Sequence, residues 1–313
     1  MRVVAGIDIG GTNTDFGLVD ELGNCLKTET VPTKKFKVPK DLVNEVSTRI
    51  LEMCKSHQLL GIGIGAPNGN YYKGTIEFAP NLPWKGIIPL AKLFEKATHA
   101  PCLLTNDANA AAIGEMTFGG AKKMKDFIFI TLGTGLGSGL VANGQMIYGH
   151  DGLAGELGHV IVIKDGRLCG CGRKGCLETY ASATGLKRTI NEWIEQGKKT
   201  ILSGKKEPIV SADIFMAAKK GDALALKAFE FTGEILGLAL ANSVNYTSPK
   251  TIFLFGGLAN AKELLFEPTI RHFEENLLNI YKNKIKIVPS KLKENQAAIL
   301  GAASLAWNQK SRL

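Results

Sequence analysis

The sequence predicts an α/β chain in two lobes, and three features carry that reading. Its 313 residues are about twice the roughly 150 of a typical domain. A strand, a Gly/Thr-rich loop and a second strand occur at Val3–Val19 and again at Phe127–Val141, about 125 residues apart. Around these units, short apolar runs of strand character alternate with segments whose apolar residues recur at helical spacing.

Composition narrows the class. With 45% hydrophobic and 21% charged residues this is the balance of an ordinary globular protein. The opening MRVVAGIDIGG passes from one arginine straight into a strand-like run, with no apolar signal region, and no apolar run reaches the ~20 residues that span a bilayer. A cytoplasmic protein without a membrane partner is expected. The net charge of +9 is spread over lysines at 34–40, 122–125, 198–206 and 282–293. With no helix-turn-helix and no basic tail, nucleic acid is not an expected partner. Cys25, Cys54 and Cys102 lack metal-ligand spacing and read as small buried hydrophobes.

In chain order, 3–9 runs into Gly10-Gly11-Thr12-Asn13-Thr14 and strand character resumes at 15–19, a β-hairpin with a Gly-rich tip closed by a turn at 20–23. Backbone N–H groups at such a tip can face a phosphate with no Cβ in the way, and Thr12 and Thr14 add hydroxyls. A tight turn with no ligand fits these residues equally well. Asp8, just before the glycines, is placed to hold Mg²⁺ through water. Asp41 is expected to cap a helix over 42–54, whose Leu42, Val46, Ile50 and Met53 share one face. A buried strand follows at 60–65. Gly61, Gly63 and Ala66 imitate a dinucleotide fingerprint, but Pro67 stands where the helix should open, so the match is set aside. Residues 67–84 are turn-rich, a pattern that suits a site lining or a surface connection.

A helix at 89–97 and a strand at 102–105 lead to Asn106-Asp107 and a helix at 108–116. A carboxylate at a strand mouth beside a helix N-terminus suits a general base, and it suits an N-cap as well. After a boundary at 122–126, the strand 127–132 enters Gly133-Thr134-Gly135-Leu136-Gly137-Ser138-Gly139, and strand character returns at 140–141. Helices are expected at 180–188, 190–196, 211–220 and 222–246, with a polar linker at 198–208. The strand 251–255 enters Gly256-Gly257, the last strand is 285–288, and an Ala-rich helix spans 295–307.

The densest chemistry lies in Gly152–Glu178. His159, Cys169, Cys171 and Cys176 are spaced H-x9-C-x-C-x4-C, one imidazole and three thiols, the ligand set of a closed structural zinc site. The alternative is three buried thiols near an unrelated histidine. Disulfides fit poorly, because Cys169 and Cys171 are too close in sequence to pair comfortably. Glu156 and Glu178 flank the cluster, so ordering the loop would also aim two carboxylates at a polar ligand.

The run Gly155-Glu156-Leu157-Gly158-His159 with Cys169-Gly170-Cys171-Gly172-Arg173-Lys174-Gly175-Cys176-Leu177-Glu178 resembles the signature of the ROK family of sugar kinases and sugar-responsive repressors. Asn106-Asp107-Ala108-Asn109-Ala110-Ala111 resembles the motif that carries the catalytic base of the ROK kinases. The repeated hairpins resemble the duplicated lobes of the actin-like (ribonuclease H-like) ATPase fold, each lobe a mixed sheet flanked by helices, here with a zinc-bound loop. The resemblance covers essentially the whole chain, in family order, and residues 65–84 with Asn81-Leu82-Pro83-Trp84-Lys85-Gly86 look most like the bacterial glucokinases.

That resemblance implies an N-terminal lobe of residues 1–120 and 295–313 and a C-terminal lobe of 121–294. It implies ATP, Mg²⁺ near Asp8, phosphates held by Gly10, Gly11, Thr12, Asn13, Thr14, Gly133, Thr134 and Gly135, and adenosine against Gly256 and Gly257. It implies glucose or a related hexose held by Gly65, Asn81, Asn106, Asp107, Glu156, His159 and Glu178, with Asp107 as base for the 6-hydroxyl. His159 would use one ring nitrogen on zinc and the other on sugar. The alternatives within the resemblance are fructose, N-acetylmannosamine or N-acetylglucosamine as acceptor, or a sugar-sensing regulator. The regulators carry a DNA-binding domain ahead of the first hairpin, where this chain starts. A homodimer or dimer of dimers is the expected assembly.

Overall fold

In the computed structural model, which describes residues 1–309, the chain runs through β1 (Arg2–Ile9), β2 (Asn13–Val19), β3 (Cys25–Pro32), α1 (Pro39–Met53), β4 (Gln58–Gly65), β5 (Gly69–Asn70), β6 (Thr75–Glu77), β7 (Ile87–Ile88), α2 (Leu90–Thr98), β8 (Cys102–Thr105) and α3 (Asp107–Thr117). It continues through β9 (Phe127–Leu132), β10 (Leu136–Ala142), β11 (Gln145–Met146), α4 (Ala183–Glu195), α5 (Ser211–Lys219), α6 (Ala223–Thr247), β12 (Thr251–Phe255), α7 (Glu263–Asn276), β13 (Lys286–Pro289) and α8 (Glu294–Gln309). Among the described residues no helix is long and apolar enough to cross a membrane.

Two five-stranded sheets result, ordered β3-β2-β1-β4-β8 and β11-β10-β9-β12-β13, with a small third sheet β5-β6-β7. In the first, β1 pairs antiparallel with β2 and parallel with β4, and β4 pairs parallel with β8. In the second, β12 pairs parallel with β9 and β13, while β10 and β11 are antiparallel. Both sheets are therefore mixed and share one strand order, so the duplication visible in the two Gly/Thr loops extends to the sheets that carry them. The chain divides into two compact units. One holds residues 1–125, 139–155 and the C-terminal segment from Ser290; the other holds 126–138 and 156–289.

Period-two alternation builds the first unit. Val3, Ala5, Ile7 and Ile9 of β1 enter a core with Leu42, Val46 and Ile50 of α1 and Phe94 of α2. Val4 points the other way, to Ile299, Leu300 and Ala303 of α8. A strand covered on both faces needs a continuous apolar run, which β1 has. Helix α8 lies so near the sheet that a Cβ on Gly63 would stand 1.8 Å from Ala302 O. The glycines that imitate a dinucleotide fingerprint serve this close helix–sheet contact.

Several local expectations are corrected. Val38, not Asp41, precedes the first turn of α1, because Pro39 opens the helix with its preset φ. Asp41 lies within that turn, where the helix dipole favours a negative charge. The two helices expected at 180–188 and 190–196 are one, α4. Ser182 caps it by accepting from Gly185 N–H, and the Thr189 hydroxyl bonds back to Gly185 O without breaking it. β10 starts at Leu136, inside the expected loop. β3 and α7 were not anticipated. β3 is a mostly exposed edge strand with little apolar signal, and α7 carries Pro268 in its interior, a residue that ordinarily argues against a helix.

Candidate active site

In the first unit, β1, β4 and β8 run parallel and end together, with Asp8 opposite Gly65 and Gly65 opposite Thr105. The carboxyl ends of parallel strands are where α/β sheets place ligands. Asn106 follows directly and caps α3, its Oδ1 accepting from Asn109 N–H at 2.7 Å. Asp107 is thereby released from the capping job the sequence left open for it; its Oδ1 takes the adjacent Ala108 N–H at 2.9 Å. Burial raises its carboxyl above the ordinary aspartate range, partly offset by backbone N–H groups. Water still reaches the residue. Asp8 is raised from 3.8 to about 7, by burial first and then by the charges of Asp107 and Asp15. Gly65 lies between the two, since a Cβ there would be 3.5 Å from Asp8 Oδ1 and 3.6 Å from Asp107 Cα. Carboxyls crowded this way hold a proton or share a cation. Asp8 thus fits a Mg²⁺ site on the chemistry of its surroundings.

The first Gly loop turns where Gly10 N–H bonds to Asn13 O at 2.9 Å, and Thr12 and Asn13 stand exposed. Thr14 departs from expectation. Its side chain is fully buried and its hydroxyl lies 2.9 Å from Thr33 Oγ1, so it braces the loop and does not present a donor. Asn81 comes up against the same loop: a Cβ on Gly11 would stand 2.6 Å from Asn81 O.

In the second unit, His159, Cys169, Cys171 and Cys176 gather so that their ligand atoms all lie within 4.8 Å of one another. Tetrahedral zinc, with Zn–S of about 2.3 Å and Zn–N of about 2.0 Å, requires S···S of about 3.8 Å and S···N of about 3.6 Å. Cys171 and Cys176 Sγ are 3.7 Å apart, and Cys169 Sγ and His159 Nδ1 are 3.6 Å apart. The four residues fit the ion. Burial raises the Cys169 and Cys176 thiols. Cys171 is brought down to about 6, burial being outweighed by hydrogen bonds from Arg173 and the neighbouring thiols. His159 Nδ1 faces the thiols while Nε2 lies 4.0 Å from Glu156 Oε2, so its two nitrogens look in different directions. Glu178 Oε1 accepts from Cys169 Sγ at 2.9 Å.

The second Gly loop adjoins this cluster. A Cβ on Gly135 would stand 2.7 Å from Glu178 Oε2, and Ala183 N–H donates to Gly133 O at 2.9 Å. Gly133 and Gly257, more than 120 residues apart in sequence, line one cavity of about 370 Å³ with Ala183, Ser211, Phe215 and Phe229. Gly256 turns the chain there with φ +100°, and a Cβ on it would meet Leu132 O at 2.8 Å. Phe215 and Phe229 were not singled out in the sequence, where they are ordinary apolar positions on α5 and α6.

A family model described as the ROK family matches residues 4–309. The chain belongs to the ROK family. It is similar to the glucokinase of Thermotoga maritima, 34% identical over 304 residues that cover 96% of each chain. It is also similar to the crystal structure of a ROK family glucokinase from Streptomyces griseus in complex with glucose and AMPPNP, with TM-score 0.81, 33% identity, and coverage of 98% of this chain and 99% of that one. A ROK relative of a second kind is the xylose repressor of Caldicellulosiruptor bescii, 33% identical over 251 residues, 79% of this chain and 62% of the repressor. With this likeness over nearly its whole length, the chain has the two-lobed actin-like fold of the ROK proteins.

Proposed function

We propose that this ROK protein is a glucokinase that transfers the γ-phosphoryl group of ATP to the 6-hydroxyl of glucose. The observation that carries the reading is Asp107: Asn106 does the capping, and burial raises the proton affinity of the Asp107 carboxyl while water still reaches the residue. Such a group can take the hydroxyl proton as the oxygen attacks phosphorus. Phosphoryl transfer asks little covalent chemistry of a protein, so positioning and charge neutralisation dominate. The loops at 10–14 and 133–135 hold phosphates with backbone N–H groups, Thr14 acting through its main chain. The cavity beside Gly133 and Gly257 takes the adenosine. Asp8 would hold Mg²⁺, whose charge offsets that of the phosphates.

Glu156, His159 and Glu178, with Asn81, Asn106 and Gly65, meet the sugar hydroxyls. Asn106 keeps its Nδ2 for this, since Oδ1 is used in the cap. The zinc that His159, Cys169, Cys171 and Cys176 would hold is structural. Cys169 as a thiolate has no proton to give Glu178, which leaves that carboxylate to sugar hydroxyl donors. ADP release measured across a panel of sugars tests the proposal: glucose-dependent turnover is expected, and its absence with every sugar refutes it. The likeness to the xylose repressor supports a second reading, a sugar-sensing regulator, which a sugar-dependent electrophoretic shift with the gene's own promoter would favour.

A further inference from the structure

Arg167 lies in the metal loop between His159 and Cys169, takes no part in the ligand set, and is 9% exposed. Burying a guanidinium is costly unless its donors are met. Here all five are. Nε and Nη2 reach Glu192 Oε2 at 3.0 and 2.6 Å, and Nη2 also reaches Thr189 Oγ1 at 2.9 Å. Nη1 donates to Thr179 O at 2.8 Å and to Gly185 O at 3.3 Å. The guanidinium carbon stands 4.5 Å from the centre of the Tyr180 ring, and the Arg167 main-chain N–H donates to the Tyr180 hydroxyl at 2.8 Å. Every one of these partners lies between 179 and 192. Arg167 therefore clamps the stretch that begins with Glu178 onto the start of α4.

That stretch reaches the second Gly loop at two points: Glu178 Oε2 abuts Gly135, and Ala183 N–H holds Gly133 O. Ser182 Oγ ties the two ends together by donating to Glu178 O at 2.6 Å. We propose that Arg167 is a positioning residue that sets Glu178 and, through Glu178 and Ala183, holds the Gly133–Gly135 loop in its phosphate-binding shape. The metal loop then governs the nucleotide side of the reaction as well as the sugar side. The ligand assignments rest on the kinase reading above, whereas the mechanical link between Arg167 and the loop does not.

The test is Arg167→Lys, which keeps the charge but cannot span the same acceptors with one ammonium. It is compared with Ile190→Val, a buried α4 change at a residue that makes none of the Arg167 hydrogen bonds. In the ligand-free, zinc-loaded protein, hydrogen exchange is expected to rise about tenfold in peptides covering both 131–138 and 177–185, with zinc content unchanged. Direct binding should show the Kd for an unhydrolysable ATP analogue and the Kd for glucose each weakened by about tenfold or more. Ile190→Val should do neither at an equal loss of Tm. If Arg167→Lys does not fold, Tyr180→Phe, which removes only the hydroxyl that accepts from Arg167 N–H, should show the same pattern more weakly. Faster exchange confined to 177–185, or an effect matched by Ile190→Val, overturns the proposal. Coupled exchange in a protein whose wild type binds neither ligand leaves the link standing and removes the kinase reading instead.

Discussion

Asp8→Asn should make the protein more stable at neutral pH while disabling it. The Asp8 carboxyl titrates near 7 in the fold against 3.8 when unperturbed. Below 3.8 it is neutral in both states and costs nothing. As pH rises from 3.8 to about 7, the unfolded chain has released a proton that the native state keeps, so native stability falls through that window. About three pKa units at ~1.4 kcal/mol each is an upper figure of about 4 kcal/mol, and water reaching the half-buried carboxyl trims it to about 2 kcal/mol. Asparagine keeps the shape without the charge. The variant's advantage should be small near pH 5 and grow by about 1–2 kcal/mol by pH 8. Because the two units need not unfold together, the measurement is hydrogen exchange of the β1 amides in urea, at both pH values, in Mg²⁺-free buffer without a chelator that would strip zinc. Adding Mg²⁺ at pH 8 should narrow the gap by stabilising wild type alone. A gap that does not change with pH, or a variant less stable at pH 8, refutes the reasoning.

Asp107→Asn should lower kcat by about 10²–10⁴-fold while glucose still binds, because the amide keeps hydrogen bonds but takes no proton; a variant with more than about a tenth of wild-type kcat contradicts the base assignment. In the wild type, activity should fall on the acid side at a pH above that of an ordinary aspartate, since burial raises the Asp107 carboxyl and the base must be ionised; a pH–rate profile flat down to about pH 4 speaks against it. One equivalent of zinc should co-purify, and Cys171→Ala should lose both metal and glucose binding, which elemental analysis and calorimetry decide. Glucose should lead mannose and fructose in kcat/KM, with N-acetylhexosamines poor, because a face of carboxylates and imidazole accepts hydroxyls but leaves no apolar room for an acetyl group; an N-acetylated sugar at the head of the ranking would sink the choice of glucose and spare the kinase.

Local chemistry was legible from the chain. The cluster His159, Cys169, Cys171 and Cys176 follows from spacing, because four ligands brought together by glycine turns need little else, and the distances among them match tetrahedral zinc. The strands β8, β9 and β12 coincide with the expected runs because buried parallel strands are short, apolar and bounded by turn residues. Where side chains compete for one job, folding was needed to choose. Asn106 and Asp107 are adjacent residues that can each cap a helix, and only the path of the chain out of β8 assigned the cap to Asn106. Thr12 and Thr14 look alike in sequence, yet strand alternation turns Thr14 inward onto Thr33. The elevated Asp8, the meeting of Gly133 with Gly257, and the five acceptors around Arg167 depend on residues far apart in sequence. Such arrangements have no local signature, because they are set by how sheets and helices pack and not by the propensities of the segments that supply them.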